Sequence, residues 1–221
     1  KPITKTDAFN HSVKKNYGWT KYGIKVVKSS DGLPIRYGDT AIRFELRYDD
    51  CGFLYKNGQE RDCIRPTPHH RVELGQGHNQ DISLGFKHKQ DYWYTASFYF
   101  PKEHKFFRKQ SVFQFHSSEG PYHPPFHLEI FPKDGLMAKI STSEGVYADK
   151  ENACGGSVKQ KINYCEKAEL TYLIMSPDEL ENSLGKWTDL VIHAIWDKRS
   201  TDDKKNKGMI EGFVNGKKKL H

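Results

Sequence analysis

Two short segments alternate polar and apolar residues, His70-Arg71-Val72-Glu73-Leu74 and Val112-Phe113-Gln114-Phe115-His116. A period of two is the strand period, so each predicts a strand with a polar row on one face and an apolar row on the other. Arg71 and Glu73 then share one face and Gln114 and His116 another, while Val72, Phe113 and Phe115 point the opposite way. With both strands in one sheet, a guanidinium, an amide and an imidazole converge on a solvent-facing surface. That set can grip a carboxylate and take up a nearby proton.

Similar patterning runs along the chain. Strands are expected over residues 22–30, 42–47, 92–100, 111–116, 126–130, 136–140, 186–196 and 209–214, each bounded by turn residues. Pro132-Lys133-Asp134-Gly135 and Asn215-Gly216 read as hairpin turns, the second opening a hairpin whose returning strand is barely present before His221. Ser176-Pro177-Asp178-Glu179-Leu180 is the best helix start, enough for a short helix only. Trp93, Trp187 and Trp196 are assigned to the core, and His193 reads as an incidental strand histidine. Many strands at short spacing imply an all-β fold, a two-sheet antiparallel β-sandwich (β-jelly roll, concanavalin-like) with short helices in loops. No repeat or linker breaks the chain, so residues 1–221 are expected to form a single domain.

Composition narrows the partners. Aromatics make up 13% of the 221 residues, enough to build a core although only 36% are hydrophobic. No apolar run approaches the roughly 18–20 residues of a membrane helix, so no membrane partner is expected. No signal peptide is recognisable, and a chain beginning at Lys1 reads as a mature or trimmed product. The net charge of +7 favours an acidic partner such as a polyuronate, a sulfated glycan, a nucleic acid or an anionic surface. Nucleic acid is set aside because zinc-finger spacing, helix-turn-helix pattern and ribonucleoprotein motif are all missing.

The cysteines fall as two local pairs, Cys51 with Cys63 and Cys154 with Cys165, without zinc or redox spacing. Two loop-stapling disulfides are the preferred reading, each contributing ~2–3 kcal/mol through the unfolded state. They imply a secreted or periplasmic protein; the alternative is buried free thiols in a cytosolic one. His69, His70, His78 and His88 lack metal-ligand spacing, so no metal site is assigned. No cofactor is required, although loops such as Asp49-Asp50 offer oxygens to a structural calcium.

Strand order and motifs resemble the jelly-roll polysaccharide lyases, the group of heparin lyase I, glucuronan lyase and the related alginate lyases. Arg71-Val72-Glu73-Leu74 is similar to their Arg-x-Glu-Leu strand and Gln114-Phe115-His116 to their Gln-x-His strand. Gly185-Lys186-Trp187 and Phe213-Val214-Asn215-Gly216 resemble their closing strands, so the resemblance runs from Pro34 to Gly216. It implies β-elimination next to a uronic acid, with Arg71 and Gln114 at the carboxylate and His116 as base or carboxylate ligand. Glu73 would orient Arg71. Read from the residues alone, His127, Glu129 and Lys139 would contact further sugar units if they face one concavity, and the loop residues Tyr122 and Tyr147 could stack on sugar rings.

One departure concerns the family's Lys-x-Gly-x-Tyr strand, whose tyrosine supplies the acid. The sequence stops at Lys217-Lys218-Lys219-Leu220-His221 without it. Either that strand lies beyond His221, the favoured reading, or the group is lost and the chain is a non-catalytic glycan-binding module. A sandwich-fold glycoside hydrolase is discounted, because it needs paired carboxylates and only the isolated Glu129 is found. The expectation is therefore a monomeric lyase of an acidic polysaccharide.

Overall fold

The computed structural model describes residues 22–47, 72, 89–115, 125–141, 156–157, 162–163, 169–196 and 208–220. Arg71, Glu73, His116, Tyr122, Tyr147 and the cysteines Cys51, Cys63, Cys154 and Cys165 lie outside them. The chain divides into two compact units, residues 1–85 and 86–221.

In the first unit, β1 (Ile24–Lys28) and β2 (Thr40–Phe44) form an antiparallel hairpin with Ile24 opposite Phe44. A short 3-10 turn, Ser29–Asp31, follows β1, and the Asp31 carboxylate accepts the Lys28 N–H at 2.8 Å. Glu45 pairs with both Arg43 and Arg47, and the Arg47 guanidinium lies 3.7 Å above the Tyr22 ring.

The second unit is built from two antiparallel four-stranded sheets. The chain enters through β3 (Asp91–Tyr99), then forms β4 (Gln110–Phe115), β5 (Phe126–Phe131) and β6 (Gly135–Ser141). A small ribbon, β7 (Gly156–Ser157) with β8 (Ile162–Asn163), precedes β9 (Glu169–Met175) and the helix α1 (Pro177–Glu181). The chain closes through β10 (Trp187–Ile195), β11 (Met209–Val214) and β12 (Lys217–Leu220). One sheet runs β12-β11-β10-β3 and the other β4-β5-β6-β9.

Alternation explains why these strands pack as layers. On β10, Thr188, Leu190, Ile192 and Ala194 are buried while the residues between them are half-buried on the outer face. Phe126, Leu128 and Ile130 of β5, with Leu136 and Ala138 of β6, supply the facing layer. Across the core, the Tyr94 ring lies 4.5 Å from Phe115, and Phe115 lies 5.1 Å from Trp196. This is the expected two-sheet antiparallel β-sandwich, with little helix among the described residues.

Local chemistry sets the ends of the elements. Ser176 caps α1 in a reciprocal box with Glu179, Pro177 occupies the first helical turn, and Leu180 anchors the helix in the core. The turn before β6 needs glycine: Gly135 has φ +96°, and a Cβ there would lie 2.2 Å from the Met175 carbonyl oxygen. Asn215 and Gly216 both have positive φ, as the tight hairpin between β11 and β12 demands. The returning strand β12 is fully formed and buries Leu220, a fuller strand than the expected stub.

Two further expectations change. β9 was not foreseen. Trp93 is not a core residue, because it stands 61% exposed on the outer face of β3 while Tyr94 and Phe98 turn inward. Trp187 sits on the outer face too, its ring 5.5 Å from Tyr99, and only Trp196 packs against the core as expected.

Candidate active site

The outer face of the β4-β5-β6-β9 sheet collects the described residues that the sequence singled out, and a β-bulge makes this so. Ser111 faces Glu129, yet the next pair is Phe113 with Leu128, so Val112 is an extra residue in β4. One extra residue reverses which side chains face out beyond it. Phe113 and Phe115 therefore turn to the core, and Gln114 turns out beside His127. Regular pairing from Ser111 onward would have buried the amide and exposed the rings.

The register then sets a polar row across the sheet. Gln114 lies opposite His127, His127 opposite Lys139, and Lys139 opposite Thr171. Gln114 Oε1 is 2.8 Å from His127 Nε2. Gln114, His127 and Lys139 are half-buried and Thr171 is exposed, so the row opens toward the β9 edge.

Beside the row, two residues along β5 from His127, sits Glu129, only 4% exposed. Its Oε1 meets the Lys109 ammonium at 2.8 Å, while Lys139 Nζ lies 3.9 Å from Oε2. Among the described residues Oε2 accepts no hydrogen bond, and the two ammonium groups offset part of the cost of burying the carboxylate. The same two lysines flank the Phe131 ring, at 5.3 and 5.7 Å from its centroid. Among the described residues, two cations against one anion leave this patch positive. Sequence reasoning missed Lys109, which directly precedes β4 and was legible only as one lysine among many.

Gln114, His127, Glu129 and Lys139 are thus brought together on one face. Such a face can donate hydrogen bonds and positive charge to an anion, and its imidazole can hold a proton. Among the described residues, no group of His, Cys, Asp and Glu is arranged to hold a metal ion. Nor is any helix there long and apolar enough to cross a membrane.

The opposite sheet carries a second polar cluster. His193 Nε2 is 2.7 Å from Asp91 Oδ1 and its Nδ1 is 3.2 Å from Glu211 Oε2. Trp93 stacks on the same imidazole. His193 is therefore not incidental, since it joins β3, β10 and β11 on their outer face.

A polar row of amide, imidazole and ammonium thus lies on one face of an antiparallel β-sandwich. A family model described as polysaccharide lyase matches residues 9–221, and the chain belongs to that family. No curated protein and no solved structure matches the chain. Family membership makes the protein a lyase of polysaccharides.

Proposed function

We propose that the protein cleaves an anionic, uronic-acid-containing polysaccharide by β-elimination, binding it across the outer face of the β4-β5-β6-β9 sheet. The carrying observation is the row Gln114–His127–Lys139, which sets an amide, an imidazole and an ammonium side by side on three adjacent strands. Heparin-like glycans, glucuronan and alginate all present the carboxylate such a row would meet.

In this reaction the C5–H bond breaks and its proton passes to a base. Its electrons form the C4=C5 double bond, and the C4–O4 bond breaks with its electrons going to oxygen, which takes a proton. The C5 proton is weakly acidic, so rate depends on stabilising the negative charge that grows on the carboxylate. The Gln114 amide and the Lys139 ammonium are suited to that task. The resemblance assigns the base to His116, two residues beyond Gln114, the second carboxylate ligand to Arg71 and the O4 acid to a tyrosine. On this reading Glu129 holds Lys139 toward the row rather than reacting. The same reading places the protein outside the cytoplasm, with Cys51–Cys63 and Cys154–Cys165 as disulfides.

The test is incubation with glucuronan, alginate, heparin-type and pectic glycans while following the ultraviolet absorbance of the unsaturated product. Rising absorbance with a uronate polymer supports the proposal. Retention of these glycans in affinity electrophoresis without any absorbance change would replace it with a glycan-binding role.

A further inference from the structure

We propose that His127 is a positioning residue that decides which end of the Gln114 amide faces the substrate. The inference rests on the uronate reading of this sheet face. A glutamine amide has an accepting oxygen and a donating nitrogen at nearly the same reach, so its orientation is set by its partners. Here His127 lies directly across the strand pair, its Nε2 2.8 Å from Gln114 Oε1.

A proton on Nε2 makes the imidazole the donor and the amide oxygen the acceptor. The Gln114 NH2 is then turned away from His127 and donates to a carboxylate lying on the row. Without that proton the amide reverses and sets its carbonyl oxygen against the anion, which repels it. One proton position thus selects between a binding and a rejecting form of the same side chain. Lys139 sits across from His127 on the other side. The imidazole therefore lies between the two groups that would meet the carboxylate.

The test has two arms on the full chain. In the first, nitrogen NMR of the free protein reads His127: a protonated Nε2 is expected, and an unprotonated Nε2 overturns the proposal whatever the enzyme does. In the second, His127→Gln, whose amide can still donate, and His127→Leu, which is uncharged and can neither donate nor accept, are assayed on the uronate polymer that wild type cleaves best. Thermal melting first establishes that each variant is folded. His127→Gln should keep most of kcat, whereas His127→Leu should lose up to about 10²-fold, the scale of one lost oxyanion donor. In a Gln114→Ala background the His127→Leu loss should largely vanish, because the two residues act as one unit. Independent, multiplying losses would overturn the proposal and give His127 a separate role. Wild type that cleaves no uronate polymer would refute the functional reading instead, and the ring-nitrogen result would still decide the His127–Gln114 relationship.

Discussion

Trp93 lies flat on His193 across the β3–β10 pair, ring centroids 4.0 Å apart and planes within 7°. The imidazole beneath is held from both nitrogens by carboxylates on the flanking strands, Asp91 and Glu211. Partial burial works against its charge, but the hydrogen bonds and charges of Glu211 and Asp91 outweigh that and raise its pKa above the ordinary 6.5. Glu211 is in turn held below the usual carboxylate range, by Lys218 first and His193 second.

A pH-dependent staple follows. A histidine whose pKa is higher folded than unfolded stabilises fully below the unfolded value and loses that contribution as pH rises through the folded one. Glu211 contributes above its unfolded value and loses the contribution as pH falls through its lowered one. His193→Gln should therefore lower Tm more at about pH 5.5 than at about pH 8.5, on either side of histidine titration. Melting curves check this, and an equal drop at both pH values would contradict it.

Gly135→Ala should be severe, because Gly135 is buried where the turn enters β6. The positive φ alone costs about 1–3 kcal/mol in a non-glycine residue, and the added Cβ, only 2.2 Å from the Met175 carbonyl oxygen, must also push that backbone aside. Urea denaturation should give a loss at least that large. A neutral effect would mean that the β6–β9 connection relaxes easily.

Much of the sandwich was legible because its strands alternate. β10 reads buried and half-buried in strict turn, and α1 carries its capping box in Ser176 and Glu179. β9 escaped because it is apolar on both sides: Leu170 and Leu173 are exposed while Ile174 and Met175 are both buried at a bulge, so no clean period shows. Trp93 was misplaced for a related reason, since β3 carries aromatics on both faces and composition cannot say which row turns in. On the candidate site, the polar rows of β5 and β6 were readable from sequence. The pairing of Gln114 with His127 was not, because it depends on the extra Val112 in β4, and register is a tertiary property. Nor was the burial of Glu129, which needs Lys109 from outside its strand.

Tyr94 ties the core of the first sheet to the end of β10, accepting the Trp196 indole N–H at 2.7 Å. Burial pushes its hydroxyl up to about 12, so it stays neutral and able to accept across the working pH range. Tyr94→Phe keeps the ring and removes the acceptor. The expected loss is about 1 kcal/mol in denaturant unfolding, the usual net worth of such a bond. A stability gain would contradict this role.

Lys139→Met should weaken the enzyme toward anionic polymer more than it weakens the fold. Lys109 still neutralises Glu129 at 2.8 Å, while the row loses its ammonium. A several-fold rise in KM for a uronate polymer is expected, together with a shallower dependence on salt, because one screened attraction is gone. Unchanged KM and salt dependence would place the substrate elsewhere.

The central claim is that the Gln114 row is where a uronate is held while its C5 proton leaves. The most direct measurement is the initial rate of ultraviolet absorbance gain on the best uronate polymer, wild type against Gln114→Ala, both confirmed folded by melting. The account predicts a fall of about 10²-fold in kcat, the scale of one lost oxyanion donor. Gln114→Ala cleaving at the wild-type rate would contradict it.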